Sequence, residues 1–235
     1  MHIIWYGQSC FQIIITRNNR NKGEQLSIVI DPFDEAIGLK VPSLSADVLL
    51  ISHLHHDHDN KKAVKGNPFL IEGPGEYETK GVFVQGIASF HDDVQGKQRG
   101  QNTIYTIEGE GIRLCHLGDL GQKELTSEQL EEIGDVDVLM IPVGGVFTIS
   151  TKEATKIISQ IEPRLVIPMH YYLPKLKIHP VKSDKVGAKQ FNGVKLETVD
   201  KFLKEMGRKS VEPQPKLLIK KKDLPEETKI VVLKP

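Results

Sequence analysis

The chain has 235 residues, of which 39% are hydrophobic, 26% charged and 6% aromatic. That balance excludes a disordered or low-complexity polypeptide and suits one folded domain over 1–235. Its 31 Lys and Arg equal its 31 Asp and Glu, and no apolar run approaches the roughly 18 residues of a spanning helix, which excludes a membrane span.

Three runs rich in Ile and Val open the chain: Met1 to Tyr6, Cys10 to Ile15 and Leu26 to Ile30. The turn residues Asn18, Asn19, Asn21 and Gly23 separate the last two, and the pattern predicts an antiparallel meander. The segment Met1 to Gly7 has neither a basic n-region nor a long apolar run, so no signal peptide is expected. Cys10 and Cys115 fall inside apolar runs and read as buried free thiols. Both features point to a cytoplasmic protein. Further strands are predicted at Val48 to Ser52, Val82 to Ile87, Thr103 to Glu108 and Ile112 to Leu117, the last two joined by a hairpin across Gly109, Glu110 and Gly111. Asp137 to Pro142 and Leu165 to Met169 complete the strands. Helices are predicted at Ser127 to Ile133 and Lys152 to Ile161 from the start signals Thr126, Thr148 and Ser150, and at Glu197 to Met206 from the stop at Gly207. Strands with helices between them argue for an α+β, four-layer αββα sandwich of two mixed sheets flanked by helices.

Late in the chain the charge shifts: residues 1–170 hold 15 basic against 23 acidic side chains, and residues 171–235 hold 16 against 8. Lys216 and Lys220 to Lys222 are read as solvated edges of late strands, where lysine discourages edge pairing. An anion-binding tail is the other reading. Residues 211–235 are expected to form a C-terminal β extension, either within the domain's own sheets or against a second copy of the chain.

Chemistry concentrates in His53-Leu54-His55-His56-Asp57-His58, on the loop after an apolar strand. Imidazole and carboxylate suit a borderline divalent metal, and a loop leaving a rigid strand can aim several of them at one point. His53 and His55 can share one ion, while Asp57 and His58 face another. His91, Asp119 and His170 each follow a predicted strand, as ligands converging on one rim would.

These residues resemble the metallo-β-lactamase superfamily, and within it the hydrolases similar to ascorbate 6-phosphate lactonase. The similarity runs from Trp5-Tyr6-Gly7-Gln8-Ser9-Cys10-Phe11 through Ile30-Asp31-Pro32, His53 to His58, Gly75-Glu76-Tyr77, His91-Asp92-Asp93 and Gly118-Asp119 to Pro168-Met169-His170-Tyr171. The resemblance implies two divalent metal ions, Zn or Mn foremost, with Fe, Co or Ni also accommodated by such ligands. One would be held by His53, His55 and His91, the other by Asp57, His58 and His170, with Asp119 bridging. Asp31 would orient the ligands from behind. Position 8 often carries His in these relatives, whereas Gln8 stands here, so an outer hydrogen bond or a substrate contact is expected to differ.

The expected chemistry is attack by metal-bound hydroxide, with Asp57 as catalytic residue, on a lactone, phosphodiester or related small ester. A small, anionic substrate is expected, contacted by Arg99 and Asn102 on the loop after His91 and by Tyr171 beside His170. Gly144 and Gly145 would either let backbone approach the substrate or supply positive φ angles. His116 reads equally as a hydrogen-bond partner of a ligand or as a satisfied core histidine. His56, His2 and His179 are not expected to be ligands. A His at position 55 favours hydrolysis over redox work. The alternatives are a small metal-dependent nuclease, against which the zero net charge weighs, and a metal-containing binding protein without turnover.

Overall fold

A computed structural model describes residues 1–16, 23–177 and 195–235. His179, Asn18, Asn19 and Asn21 lie outside the described residues. The three opening runs form β1 (His2–Trp5), β2 (Phe11–Thr16) and β3 (Gln25–Ile30), paired antiparallel as their spacing predicts. In β1 and β2 every second residue is buried, because alternate side chains point to opposite faces of a sheet. Ile3, Trp5, Phe11, Ile13 and Ile15 thereby line one face.

Next come the two-residue β4 (Leu44–Ser45) and β5 (Val48–Leu50), then β6 (Val64–Lys65) and β7 (Phe69–Ile71). β4 and β6 form a parallel pair of their own. β5 joins β3 in parallel, β7 joins β5, and β14 (Leu217–Leu218) pairs with the free side of β1, which completes a six-stranded sheet.

The second sheet has seven strands. β8 (Gly75–Thr79), β9 (Val82–Phe90), β10 (Gln101–Gly109) and β11 (Ile112–His116) are antiparallel, followed in parallel by β12 (Val138–Pro142), β13 (Leu165–Met169) and β15 (Lys229–Ile230). The β10–β11 hairpin closes through Glu110 and Gly111, both at positive φ. β12 and β13 are buried along their whole length, because one face meets the first sheet and the other meets helices.

Those helices are α1 (Ser127–Ile133), α2 (Thr151–Ile161) and α3 (Val199–Glu205). α1 and α2 occupy consecutive crossovers between parallel strands, and the common right hand of such crossovers puts both on one face. In α2, Ala154, Ile157, Ile158 and Ile161 are buried, the spacing of one apolar stripe. Thr126 and Ser150 each form a complete capping box with Gln129 and Glu153. The two mixed sheets and their helices form the α+β sandwich expected from the sequence, and the outer face of the first sheet is covered, among the described residues, by loop and 3-10 side chains. Val29, Leu49 and Ile51 pack there against Phe33 and Ile37, beneath a single 3-10 turn at Glu35–Ile37, and no α-helix covers them among the described residues.

Three further differences from the sequence reading bear on function. β9 runs three residues further than predicted, so His91 follows it directly. β10 starts two residues earlier, so Asn102 belongs to a strand. Lys221 does not guard an edge: it reaches back to Asp137, with N–O distances of 2.9 and 2.7 Å. Residues 211–235 add one strand to each sheet, with Leu217, Ile219, Val232 and Leu233 buried.

Candidate metal centre

Strand direction brings the candidate residues together. β9 and β11 are both antiparallel to β10, and β12 and β13 are parallel to β11, so His91, Gly118-Asp119, Gly144 and His170 all follow strands that end at one rim. In the first sheet β1, β3 and β5 also share a direction. Their ends deliver the Gly7-Gln8-Ser9 turn, Asp31 and the Ser52 to His58 loop to the same place.

There, ligand atoms of His53, His55 and His91 lie within 4.8 Å of one another, and so do those of Asp57, His58, Asp119 and His170. Asp119 Oδ2 ties the groups together, at 3.5 Å from His91 Nε2, 3.2 Å from His58 Nε2 and 3.1 Å from His170 Nε2. All seven residues are buried except His55, which is partly exposed. His53 Nε2, His58 Nε2 and His170 Nε2 are buried without a well-formed hydrogen bond among the described residues. Such atoms are rare and ask for a partner. Imidazole nitrogens and ionised carboxylates converging at this spacing fit divalent cations.

Electrostatics agree with that fit. Burial, helped by the charge on His58, holds His53 well below the usual imidazole range. Burial also pushes His91 down to about 4, with Asp119 partly opposing. Both are thus neutral near pH 7 with lone pairs to give. Burial would lower His58 too, but Asp119 and Asp57 outweigh it and hold the ring well above its usual value. Burial would raise Asp57 and Asp119, yet His58 and His170 keep both carboxyls well below the carboxylate range. The cluster therefore draws positive charge into itself, and a proton on His58 partly serves that need where a metal would serve it better.

Behind the ligands lies a dense set of hydrogen bonds. Asp31 accepts from the Ser52 N–H at 2.8 Å and the Ser52 hydroxyl at 2.6 Å, and contacts His58 Nδ1 at 3.1 Å. Ser52 Oγ is also 2.9 Å from His53 Nδ1. One Asp–Ser pair thus contacts a ring in each group. Ser9 Oγ donates to Asp119 Oδ1 at 3.2 Å, and Gln8 Nε2 donates to Asp57 Oδ2 at 2.9 Å. Ser9 and Ser52 were missed in the sequence, although each is a small hydroxyl residue at a strand end beside a candidate.

The remaining candidates divide. Asn102 is not a substrate residue on a loop. It is buried in β10, where Oδ1 accepts the Asp119 N–H at 2.9 Å and Nδ2 donates to Ser89 Oγ at 2.7 Å and Leu117 O at 2.9 Å. Tyr171 is buried in the core with its ring 5.1 Å from that of Trp5 and lines neither of the two cavities beside the centre. His116 is the satisfied core histidine: Nδ1 accepts the Gly118 N–H at 3.1 Å, which leaves Nε2 to donate to Ser9 O at 3.0 Å. Gly144 serves a close approach, though not to substrate, since a Cβ there would lie 2.0 Å from His170 O.

Arg99 is at the surface of the site. Nη1 donates to Phe147 O at 2.9 Å and the guanidinium carbon sits 5.0 Å from the centre of the Phe147 ring. Asp92 holds the loop that presents it, accepting N–H bonds from Val94, Gly96, Gln98 and Arg99. Two cavities border Arg99: one of about 280 Å³ with His91, Lys123 and Thr148, the other of about 370 Å³ with His53, His55, Leu54 and Pro74. The Asp57, His58, Asp119 and His170 group lines neither and lies deeper.

Comparison with known proteins agrees with this geometry. Residues 2–170 match the family described as the beta-lactamase superfamily domain. A UPF0173 metal-dependent hydrolase of Thermococcus onnurineus is 29% identical over 223 residues, 82% of this chain and 92% of that protein. A UPF0173 protein of Pyrococcus abyssi is 32% identical over 195 residues, 73% of this chain and 83% of that protein. The crystal structure of a proposed zinc-dependent hydrolase of Thermotoga maritima superposes with a TM-score of 0.74 at 38% identity, covering 99% of this chain and 97% of the other. With a shared fold, a converging His and Asp centre and relatives named as hydrolases, the chain belongs to the metallo-β-lactamase superfamily and is one of its metal-dependent hydrolases.

Proposed function

We propose that this protein uses two divalent metal ions, Zn or Mn, to hydrolyse a small anionic ester, with a lactone or a phosphodiester as the substrate class. The observation that carries the reading is the pair of ligand groups joined through Asp119 Oδ2. His53, His55 and His91 would hold one ion, Asp57, His58 and His170 the other, and Asp119 would lie between them. When bound, such a pair supplies ionised water near neutral pH and polarises the oxygen under attack.

The chain's own residues do the rest. Asp31 and Ser52 keep the His53 and His58 rings at fixed angles. Asp57, ionised and tied to Gln8, would accept a hydrogen bond from the attacking water and orient it. Arg99, on the wall shared by both cavities, would receive an anionic group of the substrate through a planar fork of donors.

The test is hydrolysis of an activated lactone and an activated phosphodiester by protein loaded with Zn or Mn. Turnover that disappears with a chelator and falls at least about 1,000-fold in Asp57→Ala is expected. Inactivity across a broad panel, or turnover that survives Asp57→Ala, would end the proposal. Cleavage of a labelled oligonucleotide in preference to both small esters would move the substrate class to nucleic acid.

A further inference from the structure

We infer that Gln8 positions the attacking water: its side-chain oxygen accepts a hydrogen bond from a water molecule held among Asp57, His58, Asp119 and His170. This inference rests on the two-metal reading above and assigns a task to a residue that is not itself a ligand.

Gln8 is fully buried, and its backbone is in the left-handed region at φ 51°, where a residue with a Cβ is strained by about 1 kcal/mol or more. Something must hold it there, and the hydrogen bonds show what. Its carbonyl accepts from the Trp5 indole N–H at 2.9 Å and from the backbone N–H of His170 at 3.1 Å. The Cys10 N–H closes the turn onto Gly7 O at 2.9 Å. The turn is therefore locked to the loop that carries one candidate ligand, while the side chain reaches another.

The carboxamide has one orientation that makes chemical sense. An ionised carboxylate only accepts, so the group 2.9 Å from Asp57 Oδ2 must be the amide nitrogen. The other end of the same planar group, Oε1, is then buried without a hydrogen-bond partner among the described residues. A buried acceptor left dry costs about 1–3 kcal/mol, and the Asp57 carboxylate that the Gln8 amide nitrogen binds stands in one group with His58 and His170, whose Nε2 atoms are unpartnered too. The nitrogens suit a cation. An amide oxygen on a group already bound to Asp57 suits the O–H of a water beside that cation. Gln8 then acts at both ends, steadying Asp57 with its N–H and aiming the water with its oxygen, while Ser9, the next residue, steadies Asp119.

The experiment loads the full chain with Co(II) and measures metal content, visible absorption, kcat and KM in the wild type, Gln8→Met and Gln8→His. Met has neither donor nor acceptor, whereas a neutral imidazole has one of each. All three proteins are expected to bind two equivalents of Co(II). Gln8→Met should show a changed absorption envelope and a kcat about 10- to 100-fold lower with KM within about threefold, and Gln8→His should restore both towards the wild type. The inference is overturned if Gln8→Met leaves absorption and kcat unchanged, or if it loses a whole equivalent of Co(II), which would make Gln8 a ligand. A wild type that takes up no Co(II) ends the metal reading and this one with it. A wild type that takes up two but hydrolyses nothing ends the hydrolase reading alone, since the absorption of Gln8→Met still decides the place of the water.

Discussion

Asp92 illustrates how single side chains prepare the site without entering it. Burial would raise its carboxyl, but the N–H groups of Arg99, Gln98, Val94 and Gly96 hold it below the usual value of 3.8. A carboxyl with a depressed folded pKa stabilises the fold above its unfolded value, and that stability is lost as pH falls through the folded one. Asp92→Asn should therefore destabilise the protein by about 1–2 kcal/mol at pH 7, and the gap between the two proteins should narrow below about pH 4. Denaturant titration at pH 7 and pH 3.5 reads both values; a gap independent of pH would show that the charge of Asp92 is idle. Among the candidate ligands, His53 and His91 are kept neutral by burial while His58 is kept charged by its neighbours. The same residue type thus fills two roles according to what surrounds it.

At the scale of elements, the loops after the strands are as constrained as the strands. Gly118, at φ 55°, lies so close to β10 and the loop after β5 that a Cβ there would be 2.3 Å from Asn102 Oδ1 and 2.8 Å from Ser52 Cβ. Gly118→Ala should lower stability by about 2 kcal/mol or more and weaken metal uptake, because the Asn102 bond to the Asp119 N–H cannot survive the shift. Elemental analysis together with a melting curve tests this, and unaltered metal content would refute it. Helix caps give a milder case. Ser150→Ala removes one arm of the α2 capping box and should cost about 1 kcal/mol while leaving metal content as it was.

For the whole molecule, two effects follow from the way the sheets meet. The last segment adds β14 to one sheet and β15 to the other, and Leu217, Ile219, Val232 and Leu233 are buried with them. Four such side chains at about 1.5–3 kcal/mol each rival a total stability of about 5–15 kcal/mol. Removal of residues 211–235 should therefore yield unfolded or aggregated protein, as circular dichroism and gel filtration would show. A folded, soluble product would mean the extension is dispensable. Metal acts on the same scale: ions that bind only the folded chain stabilise it by about 2.7 kcal/mol at a free concentration of 100 times Kd. A melting temperature that rises on loading and returns with chelator is expected, and an unchanged one would argue against a formed site. No helix is long and apolar enough to cross a membrane among the described residues.

Much of this was legible in the sequence because it depends on short-range pattern. The meander, β12, β13 and the three capped helices follow from periodicity and cap residues, and His53 to His58 announces a metal by donor type and spacing alone. The short strands β7 and β8 were not legible. Phe69–Ile71 has three residues, and Gly75–Thr79 is largely exposed, so neither carries a clear alternation. Asn102, Ser9, Ser52 and Tyr171 were misread or missed because their parts depend on partners far along the chain. Asn102 looks like a loop amide until β10 pairs with β9 and carries it under Asp119, and Tyr171 looks like a pocket residue until Trp5 covers it. Residue types and their spacing supplied the available chemistry, a set of imidazoles and carboxylates at strand ends. Which of them meet depends on the folded chain, because strand direction and sheet packing bring residues as distant as Gln8, Asp57, Asp119 and His170 to one rim.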